Sequence, residues 1–318
     1  MPSPETGHED DAGRSARRRA AVSVDLPEGT SLSEATVALT RELGSPDPEV
    51  RDRVALPTLL AWVSNGVHDE LLSAVGDGMT AGLALNQGRA TAHGTATSAQ
   101  GGTSAHLGSL ASGASGQDHT AENSPVLRRA GSAQVLATVV RRDNERHLVH
   151  QDTVLRWADA VFTWIVREPD THTVPLLPGP GPVGHGADVL AALADSRHLD
   201  EIGLTVLLDV VADRVLAATD RLPAADLDLL ARAAVHAVSR DVLTVRVLEP
   251  WALRLAHGAR ARRRATRADA GARQNAQDLL RAMHLRLVLG AERPAARADL
   301  LLVLAEAIRS TAVDLFEA

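Results

Sequence analysis

The stretch Ser45-Pro46-Asp47-Pro48-Glu49-Val50-Arg51 contains a strong helix start in this 318-residue chain. Asp47 is placed to accept hydrogen bonds from free backbone amides, and Pro48 stands at the first helical position, where a missing N–H costs nothing. Pro57 is expected to kink or break the helix. Apolar residues follow at near-helical spacing, at Val50, Val54, Leu59, Leu60 and Val63. The segment therefore predicts a helix that buries one face.

Similar signals recur along most of the chain. Ser31 and Glu34 form a capping box before a helix that should stop at Gly44. Isoleucine is rare and valine usually stands at helical spacing, which disfavours strands. Further helices are predicted over Val67–Leu85, from Ser124-Pro125, from Asp152 to Ile165 before Pro169, and near 185–195, 200–218, 224–239, 242–257, 272–289 and 294–316.

These helices predict an all-α fold. Roughly ten helices joined by short connections should pack mostly as antiparallel neighbours. The segment from Asp47 to Arg51 resembles the start of a HEAT-type repeat, in which paired helices stack side by side. We therefore expect an irregular HEAT-like α-solenoid of antiparallel helix pairs, with a compact α bundle as the alternative.

Two segments lack apolar periodicity. Residues 1–29 are polar and charged and are predicted to form a disordered N-terminal arm, and residues 86–124 read as a low-complexity insertion. Such segments bury too little apolar surface to offset the entropy lost on ordering. The remainder of residues 30–318 is predicted to be a single all-α domain.

The amino-acid composition disfavours several classes of function. The net charge of −7 and the lack of interleaved aromatic residues in the arginine-rich segment Arg260–Arg267 make nucleic-acid binding an unfavoured prediction. The absence of cysteine excludes disulfides, thiolate catalysis and cysteine-ligated metals. No apolar run approaches the length of a membrane helix, and the first residues lack the apolar core of a signal peptide. We expect a cytoplasmic protein without a membrane partner.

Seven segments together carry a family resemblance. They are Glu42–Pro48 with Arg51-Asp52, Leu56–Leu59 with Trp62, Gly76–Met79, Leu155–Trp157 with Asp159, His185–Asp188, Leu248–Trp251, and Gln274–Gln277 before Leu279. In this order and spacing they resemble a bacterial family known as domain of unknown function 2785. The resemblance covers roughly residues 40–85 and 125–312, and it implies an all-helical, HEAT-like domain with no assigned catalytic residues.

One departure from that family stands beside its His-Gly-Ala-Asp segment. Relatives tend to place a Trp and an additional His just before it, where this chain has Gly181-Pro182-Val183-Gly184. If the family has a two-histidine site, this member has lost half of it.

His185 and Asp188 are the leading candidate site residues. They follow a loop of Pro, Gly and Val at 178–184 and stand three apart at a predicted helix start near Gly184, so they face the same side. They could ligate a metal or form a base–carboxylate pair. The favoured interpretation is structural: Asp188 lies within reach of free backbone amides and stabilises the helix start. Beyond this pair, the sequence predicts no metal site and no cofactor.

Four further residues are candidates for binding. Asp77 and the turn containing Glu249 and Trp251 could converge on the same site, and Trp157 could lie near it. Each is more often a turn or core feature. On the helix that carries Trp157, we expect Trp157 and Phe162 to be mostly buried and Trp164 to lie nearer an edge.

The function favoured by these patterns is binding of another protein or a peptide. This inference rests on the predicted fold alone, because helical repeats commonly present extended binding surfaces. The alternative is an enzyme, or a small-ligand or metal binder, centred on His185 and Asp188. The two are discriminated by whether these side chains line a concave pocket or are used in caps and core.

Overall fold

The computed structural model describes residues 29–85, 123–169, 179–259 and 266–311, and within these ranges the chain is all-helical, as predicted. The regions predicted to be a disordered arm and a low-complexity insertion fall almost wholly outside the described residues, as does most of Arg260–Arg267. No helix in the described ranges is long and apolar enough to cross a membrane. The helices are α1 (Leu32–Glu42), α2 (Leu56–Ser64), α3 (Leu72–Leu83), α4 (Pro125–Arg146), α5 (Gln151–Arg167), α6 (Pro182–Ala194), α7 (Glu201–Ala217), α8 (Ala224–Val238), α9 (Val245–Ala259), α10 (Arg267–Leu289) and α11 (Arg297–Thr311).

The predicted helix starts near the N-terminus are confirmed by their hydrogen bonds. At α1, the Glu34 backbone amide donates to Ser31 Oγ at 3.2 Å, and the Ser31 amide donates to Glu34 Oε2 at 2.9 Å. The Glu49 amide donates to Asp47 Oδ1 at 2.9 Å. The helix that follows is a π-helix over Glu49–Ala55, and it changes to the α form next to Pro57, where the expected interruption occurs.

Helices that alternate along the chain pack into two layers. In one layer α2, α4, α6, α8 and α10 contact each other in succession, and in the other α3, α5, α7, α9 and α11 do the same. Sequential helices such as α3 and α4, or α9 and α10, pack across the layers. The helix α1 packs at one end of this array, on the π-helix, α2 and α4.

The helix α6 lies at the centre of the core. It packs on α4 and α8 within its own layer and on α5 and α7 in the other. Small side chains make this close approach possible: a Cβ atom at Gly186 would lie 2.8 Å from ring carbon Cζ3 of Trp164 and from Cδ1 of Ile165. Every residue of α6 is buried except His185 and Asp188.

The aromatic stripe of α5 differs from our expectation. Trp157 and Trp164 are both 1% exposed, whereas Phe162 is only partly buried. The prediction that Trp157 is buried is confirmed. The prediction that Phe162 is more buried than Trp164 is wrong. Residues seven apart lie nearly two full helical turns apart and so share one face, whereas a residue five positions on points well to the side.

Candidate functional site

His185 and Asp188 are where the central helix reaches the surface. The helix begins at Pro182 with Gly181 as its N-cap, two residues before the predicted start near Gly184. Proline is favoured at a first helical position, so the Pro/Gly loop runs directly into the helix. His185 and Asp188 consequently lie deeper in α6 than expected, three apart and both half-buried.

The Asp188 carboxylate is held by two arginines from neighbouring helices. Arg141 Nη2 of α4 lies 2.6 Å from Asp188 Oδ1, and Arg232 Nη2 of α8 contacts the same oxygen. Burial opposes ionisation of this carboxyl, but the two guanidinium groups outweigh it and hold the pKa of Asp188 below its usual value. Burial also lowers the pKa of His185, against the opposing effect of the Asp188 charge. The pair is thus a carboxylate bridging two cations beside an imidazole whose neutral form is favoured.

The predicted capping role of Asp188 is wrong, and another residue performs it. Asp226 of α8 accepts a hydrogen bond from the Gly181 amide at 2.9 Å, and the nearby Gly184 amide helps to lower the pKa of its carboxyl. Its Oδ1 atom lies so close that a Cβ atom at Gly184 would be 2.5 Å away, so only glycine fits there without a shift. Because α6 begins at Pro182, Asp188 lies in its second turn, beyond the free amides.

A buried polar cluster surrounds this helix start, and sequence reasoning missed it. Arg129 of α4 forms two hydrogen bonds with Glu168 after α5, at 2.7 and 2.8 Å, and Trp164 Nε1 donates to the same carboxylate at 2.6 Å. Arg214 of α7 is buried nearby, where burial lowers its pKa. Burial raises the pKa of Asp226. The four charged groups come from four different helices or their ends, so no local spacing could identify them.

Asp77 and Trp157 contact each other as packing partners. Trp157 Nε1 donates to Asp77 Oδ1 at 2.8 Å, and Arg156 lies 4.0 Å from the same oxygen. The indole packs so closely on α3 that a Cβ atom at Gly76 would lie 2.1 Å from its Cζ2 atom. Asp77 therefore satisfies the only polar atom of a buried indole.

Glu249 and Trp251 do not form a turn. Glu249-Pro250-Trp251 lies inside α9, and the prediction of a turn here is wrong. Trp251 is 6% exposed, and its Nε1 donates to the carbonyl oxygen of Leu208 in α7 at 2.7 Å, whereas Glu249 is exposed. Pro250 lies inside the helix, where it has no N–H to donate to the carbonyl of Arg246, four residues earlier.

The sequence-predicted candidates are held by different partners in different parts of the fold. Asp77 accepts a hydrogen bond from a residue of α5, and Trp251 donates one to a residue of α7. Asp188 forms ion pairs with residues of α4 and α8. These contacts do not join them into one pocket. Within the described ranges, no three His, Asp or Glu side chains are grouped closely enough to hold a metal ion.

A groove between α1 and α3 is a concave feature that the structure adds. Both helices pack against α4 and leave between them a pocket of about 320 Å³. Val75 and Met79 of α3 form its buried floor, and α1 has no fully buried residue, so its side of the groove is open. The lining residues are Ser33, Thr36, Val37, Thr40, Arg41, Leu71, Ala74, Val75, Gly78, Met79 and Arg128.

The charge in this groove is entirely positive. Arg41 and Arg128 line it together with apolar and hydroxyl side chains, and no carboxylate does. Burial lowers the pKa of Arg128, and its Nε atom is buried without a hydrogen-bond partner. An arginine nevertheless remains protonated at neutral pH. Among the described residues no carboxylate forms an ion pair with either guanidinium, so the groove holds two uncompensated charges.

The groove has only a faint signal in the sequence. Ser33, Thr36, Val37, Thr40 and Arg41 recur at helical spacing along one face of α1, but a stripe of small polar residues looks like an ordinary solvated face. Arg128 belongs to a helix that begins only after the insertion.

The segment that contains most of these features is matched by a protein family. The family described as "Protein of unknown function (DUF2785)" matches residues 118–285, more than half of the chain. The chain belongs to the DUF2785 family. The family membership predicted from the sequence is thereby confirmed, over residues 118–285. In this DUF2785 member the matched range includes His185, Asp188 and the whole buried polar cluster, whereas only Arg128 of the groove falls within it. Comparisons with curated proteins and with solved structures gave no match.

Proposed function

We propose that the two helical layers form an irregular HEAT-like α-solenoid whose groove between α1 and α3 binds an apolar peptide segment that carries a carboxylate. The solenoid is supported by the regular succession of contacts, in which each helix from α2 to α9 packs on the helix two places further along the chain. A repeating two-layer array of this kind leaves its ends open, and open grooves are the usual binding surfaces of such proteins.

The observation that carries the proposal is the composition of the groove. Its apolar floor favours burial of apolar side chains, at about 25 cal/mol per Å² removed from water. Arg41 and Arg128 supply positive charge at the same place, although the whole chain has a net charge of −7. A partner that combines apolar residues with Asp, Glu or a C-terminal carboxylate satisfies both features.

The shape of the groove favours an extended segment over a small molecule. A second pocket of about 310 Å³ continues from it and is also lined by Arg41 and Arg128. Leu85, Asn123 and Pro125 contribute to the lining of this continuation. The two arginines therefore stand between two hollows, where the carboxylate of a bound peptide would meet them while its neighbouring residues occupy the hollows on either side.

The proposal can be tested with a random peptide library displayed on phage. We expect the selected peptides to combine apolar residues with an acidic residue or a free C-terminal carboxylate. Their affinity should fall by about tenfold or more in Arg128→Gln, the loss expected for a charge-assisted hydrogen bond. It should also fall in Gly78→Leu, because a Cβ at Gly78 meets nothing within 4 Å and the longer side chain would project into the groove.

Arg156→Gln is the matched control, since this exposed arginine of α5 does not line the groove. It should leave peptide affinity unchanged. Selected peptides without acidic groups, or peptides that bind Arg128→Gln and Gly78→Leu as tightly as the parent protein, would contradict the proposal.

A further inference from the structure

Two arginines converge on a single carboxylate oxygen where the central helix α6 reaches the surface. Arg141 and Arg232 come from helices on either side of α6, and each places an Nη2 atom on Asp188 Oδ1. Their side chains are 45% and 31% exposed, so solvent reaches both guanidinium groups. Two positive charges and one negative charge leave a net charge of +1 in this cluster, which we call the Asp188 cluster.

Several neighbouring ion pairs do not share this imbalance. In the same layer, Arg142 faces Asp69 and Glu145, and Arg286 faces Asp228, so each arginine has at least one carboxylate of its own. In the other layer, Arg254 of α9 contacts both Asp209 and Asp213 of α7, the reverse ratio. Asp278 of α10 also contacts two arginines, Arg221 and Arg281, but Arg281 lies three positions further along the same helix. At Asp188 the two arginines come from two other helices, α4 and α8.

The Asp188 cluster also has hydrogen-bonding groups without partners. Arg232 Nε is buried and has no hydrogen-bond partner. The ring of His185, three positions before Asp188, forms no side-chain hydrogen bond with the other described residues. Its neutral form offers one N–H donor. Donors from three helices thus surround one carboxylate that cannot satisfy all of them.

We propose that the Asp188 cluster binds a small ligand through a phosphate group. A ligand with a monoanionic carboxylate would carry the same charge as Asp188. It would compete poorly for the two arginines, because Asp188 is already held beside them by the helix. A phosphate dianion carries the higher charge needed to draw Arg141 and Arg232 from Asp188, and its tetrahedral oxygens match guanidinium donors arriving from two sides. In this arrangement Asp188 positions the arginines and weakens binding through its own charge. The site is independent of the groove between α1 and α3.

The test is a titration of the full-length protein with inorganic phosphate, above the second pKa of phosphate and at constant ionic strength. The ¹⁵N–H chemical shifts of the arginine side chains report binding, and acetate is titrated in parallel. We expect saturable shifts of Arg141 and Arg232 with phosphate and weaker effects with acetate. Arg232→Gln should weaken phosphate binding by about tenfold, and Arg254→Gln, the matched control with the reverse charge ratio, should not change it.

The discriminating variant is Asp188→Asn. It raises the net charge of the cluster from +1 to +2 and should tighten phosphate binding by about fivefold, whereas a merely structural ion pair would show no such gain. The proposal is overturned if the parent protein shows no saturable shifts, if acetate binds as tightly as phosphate, or if Asp188→Asn folds and binds phosphate no more tightly. Should Asp188→Asn fail to fold, the parent titration and Arg232→Gln still decide the outcome.

Discussion

At the scale of single residues, two glycines of α3 should respond in opposite ways to the same substitution. A Cβ atom at Gly76 would lie 2.1 Å from the Trp157 ring, whereas one at Gly78 would meet nothing within 4 Å. Gly76→Ala should therefore cost about 1–3 kcal/mol through overpacking. Gly78→Ala should stabilise the protein by about 0.5–1 kcal/mol, because alanine loses less backbone entropy in a helix. Urea unfolding of both variants measures the difference, and equal signs would contradict the packing described for α3.

His68 makes stability depend on pH. The ring is 1% exposed, with Nε2 at 2.8 Å from Thr36 Oγ1, and burial lowers the pKa of His68. The unfolded state thus takes up a proton more readily than the folded state. The contribution of neutral His68 to the stability of the folded state is fully present above the ordinary histidine pKa of about 6.5. It is lost as the pH falls through the lower pKa that His68 has in the folded state.

His68→Gln should reduce this pH dependence by on the order of 1 kcal/mol between neutral pH and about pH 5. Urea unfolding over that range measures it, and His150→Gln, at an exposed position, is the control. Some dependence should remain, since burial also lowers the pKa of His185 and His198. An unchanged slope in His68→Gln would show that its protonation is not linked to folding.

The carboxylates around α6 show why residue roles were only partly predictable. The sequence marked Asp188 as the candidate cap because it follows a Pro/Gly loop in the same segment. The cap is Asp226, 45 residues beyond the Gly181 amide that it accepts from. Spacing along the chain reveals which side chains share a helical face, but it does not reveal which neighbouring helix supplies a partner.

At the scale of elements, the N-terminus of α6 depends on Asp226 of another helix. Asp226→Ala should cost about 2 kcal/mol or more, because it removes the acceptor for the Gly181 amide and leaves Arg214 with less compensating charge. Asp226→Asn should cost less, since the amide oxygen can still accept this hydrogen bond and no charge is buried.

Thermal unfolding and amide hydrogen exchange distinguish the two Asp226 variants. The Gly181 amide should exchange faster in Asp226→Ala and remain protected in Asp226→Asn. Equal protection in the parent and in Asp226→Ala would show that Asp226 does not cap α6.

The helices themselves were largely predictable, because their signals are local. The capping box of Ser31 and the apolar spacing in α5 can be read from a few neighbouring residues. Burial around α5 was harder, since both Trp157 and Trp164 are polar-tipped and each needs a partner, Asp77 for one and Glu168 for the other. Those partners come from α3 and from the end of α5, and only the first lies far along the chain.

At the scale of the whole molecule, the all-α class followed from composition and periodicity, whereas the groove did not. The groove exists because α1 and α3 both pack on α4 without filling the space between them. Arg128 reaches it from a helix separated from α3 by the low-complexity segment. The spacing of residues along one sequence does not predict a groove that forms where three helices meet.

The most direct test of the central claim is a crystal structure of the protein with a peptide selected from the displayed library. We predict that its apolar side chains lie on Val75 and Met79 and that its carboxylate lies within hydrogen-bonding distance of Arg128. A peptide bound elsewhere, with the groove between α1 and α3 empty, would contradict the account.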